Sequence, residues 1–324
     1  MCIRDSTNYV PRSEPASYAA GGKVVHFDTV EWLYIPDPAT TMNALITGEI
    51  DFWETPSPDL VPGMEGNPDI TIKVIDPLGT QGWLRPNHLN PPFDNPKARQ
   101  ALLHMVKQEH YLQAIIGDEK FWRACGAYFM CDTPLDSDVG AGPLMNQDLE
   151  MARKLLKEGG YNGETLILMD PTDIPVLHGA SLVTAQMLRK IGAKVEVQAM
   201  DWSTLTSRRA ETKSIADGGW NIFHTYSTGA DVASPIANIG VSGGCVEEAW
   251  FGWPCDKTLE DLRDQFSREG DPAKQVEIGT ALQKRAYEVV PYVNYGQWFQ
   301  PTAYRTSLKG VLISPVPFFW NIEK

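Results

Sequence analysis

One stretch carries the spacing of a catalytic pattern. Gly240-Val-Ser242-Gly-Gly244 satisfies G-x-S-x-G, in which a strand-to-helix turn exposes a serine nucleophile. Here it sits in a glycine-rich run with neither element evident around it. A loop is the expectation, and serine hydrolysis through Ser242 is the alternative. The six histidines, at 26, 88, 104, 110, 178 and 224, show no metal-ligand spacing, and His104 and His110 fall on different helix faces. The sequence holds no HExxH, P-loop or GxGxxG, so neither metal nor cofactor is expected. Of five cysteines, four form two close pairs, Cys125 with Cys131 and Cys245 with Cys255. Four cysteines allow three connectivities. Two local disulfides are expected, implying an oxidising compartment, against four reduced buried thiols.

The elements that would position such groups turn on residues 82–106. Trp83 and Leu84 end an extended run, and Asn90-Pro91-Pro92-Phe93 continues neither strand nor helix, because proline lacks a donor and extends the residue before it. Asp94 or Asn95 then offers an N-cap oxygen and Pro96 suits the first helical position. Ala98, Ala101, Leu102, Met105 and Val106 recur on one buried face of a helix reaching about Ile116. The stretch reads as a crossover between two folded bodies.

Upstream, 26–35 alternates as a half-buried strand with Val30, Trp32 and Tyr34 on one face. Asp37, Pro38 and Gly48 bound a helix, and short strands follow near Phe52 and Ile70. Downstream, Asn146 or Asp148 caps a helix ended by Gly159-Gly160. Strands at 165–169, 193–200 and 220–226 alternate with helices at 175–191 and 203–210, the pattern of an α/β sheet. Two amphipathic helices, about 257–267 and 271–289, precede a last strand pair. At 324 residues two cores fit, and 43% hydrophobic with 21% charged residues is ordinary globular composition. A net charge of -13 argues against a nucleic-acid partner.

The crossover, "WLRPNHLNPPFDNPKARQALLHMVKQEH", resembles that of family 5 extracytoplasmic solute-binding proteins, which serve ABC importers of peptides, opines and nickel. "ALITGEID", "LVTAQMLRKIGAKVEVQAMDWSTLTSRR" and "VPYVNYGQWFQPTAYR" are similar to that family's lobe-one unit, lobe-two unit and return strand. The resemblance implies an α/β, two-lobed, type II periplasmic-binding-protein fold with lobe one incomplete. Residues 7–87 would be partial lobe one, 88–291 lobe two and 292–324 the return. Residues 1–6, "MCIRDS", match nothing in the family and resemble translated sequencing adapter. An amino-terminally truncated frame without its signal peptide is therefore expected, leaving strands 28–35 and 292–300 without sheet partners.

The resemblance also implies a function: capture of a small solute, peptide-like or amine-bearing, and delivery to a membrane permease in the periplasm or at the cell surface. A receptor-type binding protein feeding a sensor would share the fold. In peptide-binding members an Asp four residues before a Pro pairs with the ligand's ammonium, and Asp231 before Pro235 holds that position. Val232-Ala233-Ser234 replaces the more polar or aromatic run common there. An Asx-turn carboxylate bonded to its own loop is the plain alternative. Trp83, Arg85 and Asn87 on the outgoing strand, and Tyr295, Gln297 and Trp298 on the return, would line the hinge side. They would stack on ligand or pack as core, with Arg85 forking a carboxylate or lying solvated. His224 and Tyr226 complete the candidates.

Overall fold

The computed structural model describes residues 8–324, so the suspected leader and Cys2 lie outside the described residues. Nine strands occur among these: β1 Phe52–Trp53, β2 Ile70–Val74, β3 Thr80–Pro86, β4 Trp122–Arg123, β5 Thr165–Pro171, β6 Lys194–Met200, β7 Ile222–Thr228, β8 Val293–Trp298 and β9 Pro301–Arg305. They divide between two units, one formed by residues up to Gly79 with Phe299–Lys324, the other by Thr80–Trp298. The sequence places these passages at 87/88 and 291/292. The divide falls elsewhere because β3 and β8 pair with each other inside the second unit's sheet.

In the first unit β9 is central, antiparallel to both β1 and β2. The helix Pro38–Thr47 begins where expected. Asp37 accepts from Thr40 N at 2.7 Å, Pro38 opens the first turn, and Gly48 ends it at φ 80°. Leu45, Met64, Ile70 and Ala303 form its small core. The strand expected over 26–35 is not formed. Val30, Trp32 and Tyr34 are instead 44, 69 and 89% exposed. Alternation specifies a strand only where a neighbour takes the backbone hydrogen bonds, and none does here.

The second unit carries a six-stranded mixed sheet, ordered β4-β8-β3-β7-β5-β6. β3 runs antiparallel to β7 and β8, while β5 runs parallel to β6 and β7. β8, expected to lack partners, lies between β4 and β3 and is buried along its whole length. Gly82 lets the sheet close there: a Cβ on it would come within 2.1 Å of the Tyr295 ring. Thr80 pairs with both Thr228 and Trp298, so the start of β3 and the ends of β7 and β8 share one end of the sheet.

Helices cover this sheet. Asn95, rather than Asp94, caps Pro96–Met105, and all five residues expected on its inner face are fully buried. The expected single helix to Ile116 is two: Val106 turns extended (φ -73°, ψ 136°), and a second helix runs Gln108–Ile115. The break lets the buried Gln108 side chain donate to Cys125 O and Asn294 O, both at 2.9 Å, and accept from Cys125 N. Asp148 caps Leu149–Glu158, Pro175–Lys190 joins β5 to β6, and Lys257–Arg268 and Pro272–Val289 form a hairpin. The cysteines pair locally, Cys125 with Cys131 and Cys245 with Cys255.

Candidate functional site

In an open α/β sheet, ligands lie at the carboxyl ends of the parallel strands, where side chains emerge from a rigid frame. In the second unit those are the ends of β5, β6 and β7. β7 passes from fully buried Ile222–His224 to exposed Tyr226, then turns into a short helix at Gly229–Val232 that carries Asp231. Asp231 is exposed. Its Oδ2 accepts from Thr228 Oγ1 at 2.9 Å, and its N–H donates back to that oxygen at 3.3 Å. Thr228 thus fixes one carboxylate oxygen, while Oδ1 has no partner among the described residues. The carboxylate is thus tied to its own loop through one oxygen.

Tyr226 is 45% exposed, and its ring lies edge-on to Trp298 at 5.9 Å. From there the aromatics run inward. Trp298 stacks on Tyr295, and Tyr295 stacks on Tyr111 at 5.3 Å. Tyr295 is fully buried and donates to Thr225 O, while Trp298 is nearly so. Tyr226 and Asp231 are therefore the sequence-derived candidates that face solvent.

The others are interior. Arg85 is fully buried, and it is neither a ligand fork nor a solvated strap residue. Its Nε donates to Phe251 O (2.6 Å), Nη1 to Gly240 O (2.6 Å) and Pro291 O (3.0 Å), and Nη2 to Trp250 O (3.2 Å). Burial lowers its pKa to about 9. Trp83 stacks on Tyr292 at 4.5 Å and donates to Gln81 Oε1, which also accepts from the Tyr292 hydroxyl. Asn87 donates to Trp220 O at 2.9 Å. Gln297 accepts from Arg123 Nε at 2.9 Å. His224 lies between Thr184 Oγ1 (2.8 Å) and Ser181 Oγ (3.3 Å), and burial pushes its pKa down to about 3. Together these residues fasten β3, β7 and β8 to their surroundings.

Two anchors went unnoticed in the sequence. Gln81 is wholly buried and donates to Ala127 O at 2.9 Å, joining β3 to the Cys125–Cys131 loop. Gly252 (φ 97°) brings the Cys245–Cys255 loop onto Arg85: a Cβ there would lie 2.7 Å from Pro86 O and 2.9 Å from Arg85 Nε. A charged residue amid an apolar strand, with a glycine in a disulfide loop, was the available signal.

Ser242 lies beyond a single turn at Ile239–Val241, with extended backbone, so the strand–turn–helix of a nucleophile elbow is not formed. Its hydroxyl donates to Glu260 Oε1 at 3.1 Å, and Arg263 holds both oxygens of that carboxylate at 2.9 Å. Two surface cavities of this unit, about 360 and 480 Å³, are lined around Lys107 and Met145 and around Ser242 and Trp250; neither includes Asp231.

Comparison with known proteins adds the following. Residues 5–245 match the family model described as bacterial extracellular solute-binding proteins, family 5 middle. A probable peptide ABC transporter periplasmic-binding protein, y4tO, of Sinorhizobium fredii is 37% identical over 319 residues, covering 98% of this chain and 60% of its own length. Among solved structures, AgaA of A. tumefaciens R10 with agropinic acid aligns at TM-score 0.75 and 20% identity, covering 89% of this chain and 59% of that one. Helicobacter pylori DppA with the peptide STSA aligns at TM-score 0.73 and 22% identity, covering 89% and 55%. At such identity these two speak to fold alone, the two-lobed type II periplasmic-binding-protein fold. The chain spans about 60% of the length of the relatives it matches.

Proposed function

Because the chain belongs to the family 5 bacterial extracellular solute-binding proteins, we propose that it is the substrate-binding component of an ABC importer. Its solute is small, peptide-like or amine-bearing, and is captured outside the cytoplasm and handed to a membrane permease. The printed names of relatives support this class: a peptide transporter's binding protein, and neighbours holding a peptide or an opine. Among the described residues no helix is long and apolar enough to cross a membrane.

The observation that carries the ligand chemistry is Asp231. It stands exposed at the carboxyl end of a central strand, with one oxygen fixed by Thr228 and the other open. An ammonium donating to that oxygen forms a charge-assisted hydrogen bond worth about 1.5–3 kcal/mol. Tyr226, partly exposed near the end of the same strand, adds an aromatic side chain at that end of the sheet. No bond is made or broken. Ligand binding shifts the protein toward the conformation the permease recognises, by the difference in affinity between its states.

Native mass spectrometry of the purified chain, followed by identification of the released small molecule, tests this proposal. An amine-bearing solute of peptide-like size is the expected result. A co-purifying sugar, or another solute without an amine, would overturn the ligand class.

A further inference from the structure

Residues 159–164, Gly-Gly-Tyr-Asn-Gly-Glu, join the helix Leu149–Glu158 to β5 and contain the chain's one Asn-Gly step, Asn162-Gly163. Such a step can close on itself. The backbone nitrogen after an asparagine reaches the side-chain carbonyl carbon through a five-membered ring, and a glycine there has no Cβ to obstruct the approach. Whether a folded chain permits this depends on access, on an N–H not already engaged, and on somewhere for charge to go.

All three conditions hold here. Asn162 is exposed and lies in neither helix nor strand. Its Nδ2 donates to Gly160 O at 2.9 Å, and its Oδ1 has no partner among the described residues. Nor has the Gly163 N–H, and Gly163 itself stands at φ 94°. Glu164 Oε2 folds back to accept from Asn162 N at 2.8 Å, which tightens the turn. Lys194, opening β6, is exposed, and its Nζ lies 3.9 Å from where a Cβ on Gly163 would stand. Its own N–H donates to the Tyr161 hydroxyl at 2.8 Å, which keeps it beside the turn. Comparable positions lack one condition or another. Asn67, Asn90 and Asn95 precede prolines, which have no N–H. Asn43 lies inside the helix Pro38–Thr47, and at Asp217-Gly218 the glycine N–H is spent on Ile215 O at 3.2 Å.

We propose that Asn162 is a site of spontaneous deamidation, with Lys194 placed to assist the reaction and to pair with its product. The Gly163 nitrogen gives its proton to solvent and attacks Asn162 Cγ. The N–Cγ bond forms, the Cγ–Nδ2 bond breaks, and the side-chain nitrogen takes a proton from solvent and leaves as ammonia. Water then opens the cyclic imide. Opening at Cγ gives aspartate, and opening at the backbone carbonyl gives isoaspartate, with the chain running through Cβ. One water enters, one ammonia leaves, and nothing is oxidised or reduced. The Lys194 ammonium stabilises the negative charge that gathers during ring closure and then faces the new carboxylate. Asn162 precedes β5 whereas Asp231 follows β7, and those strands are parallel, so the change falls at the opposite end of the sheet from the proposed ligand site.

The test ages the whole folded chain in mildly alkaline buffer and samples it by isoelectric focusing and by peptide mapping that separates aspartate from isoaspartate. An acidic form should accumulate with time, with residue 162 converted before any other asparagine and isoaspartate among the products. Asn162→Gln, whose closure needs a six-membered ring, should remove that form while leaving the urea midpoint unchanged. Lys194→Met should slow conversion severalfold in the folded chain and leave the rate unchanged in guanidinium chloride, where the two residues are apart. Asn162 still intact in the folded chain when the unfolded chain has converted it would overturn the site. An acidic form that persists in Asn162→Gln would do the same. Equal folded-state rates for the parent and Lys194→Met would overturn the part given to Lys194.

Discussion

Arg85 shows how far a residue's type can mislead about its task. An arginine two residues after a strand tryptophan suggests carboxylate recognition, yet its N–H groups are spent on four backbone carbonyls from three distant segments. Nothing in its local sequence reports that, because the partners lie more than 150 residues away along the chain. Removing it leaves those carbonyls buried without donors. Arg85→Met should therefore cost about 3–5 kcal/mol, read as a lowered urea midpoint; an unchanged midpoint would refute the anchoring role. His224 makes a pH prediction. Its folded pKa, about 3, lies below the ordinary value near 6.5, so the unfolded chain binds the extra proton first. The stability it contributes is complete above about pH 6.5 and is lost as pH falls toward 3. His88 is shifted the same way by burial and by nearby Arg99 and Arg85. Urea midpoints measured from pH 7.5 to 5 should fall, and His224→Gln should flatten but not abolish the slope. Equal slopes would contradict the assignment.

Elements were legible where local chemistry decides them. Asp37-Pro38 and Asn95-Pro96 start helices, Gly48 stops one, and the apolar stripe of 96–105 points inward. They were illegible where a distant partner decides. The helix break at Val106 follows from what Gln108 meets on β8 and at Cys125, and the failed strand at 26–35 follows from the lack of a neighbour. The placement of Asp231 just after a strand was legible. The burial of Trp83, Asn87, Gln297 and His224 was not, because sheet order determines it. The Cys245–Cys255 loop supplies two of the carbonyls around Arg85, so its covalent tie acts at a distance. Replacing both cysteines by serine should cost about 2–4 kcal/mol and shift the fluorescence of Trp250 and Trp253. A variant as stable as the parent, with unshifted emission, would show the tie to be dispensable.

For the molecule as a whole, the first unit exposes an apolar run. Val25 is 71%, Trp32 69%, Leu33 59% and Tyr34 89% exposed within one short segment. Patches of this kind drive association, although a net charge of -13 opposes it. This chain should self-associate with rising concentration and salt and should bind an apolar dye. A monodisperse monomer under light scattering across that range, with no dye bound, would contradict this. The second unit has no such run, and the carboxyl end of its β7 carries the proposed ligand site.

That strand end, and the open oxygen of Asp231 beyond it, is the central claim. Titration calorimetry of L-alanyl-L-alaninamide into the whole chain and its Asp231→Asn variant tests it most directly. The account predicts measurable binding weakened about tenfold or more by the substitution, whereas equal affinity in the two proteins would contradict it.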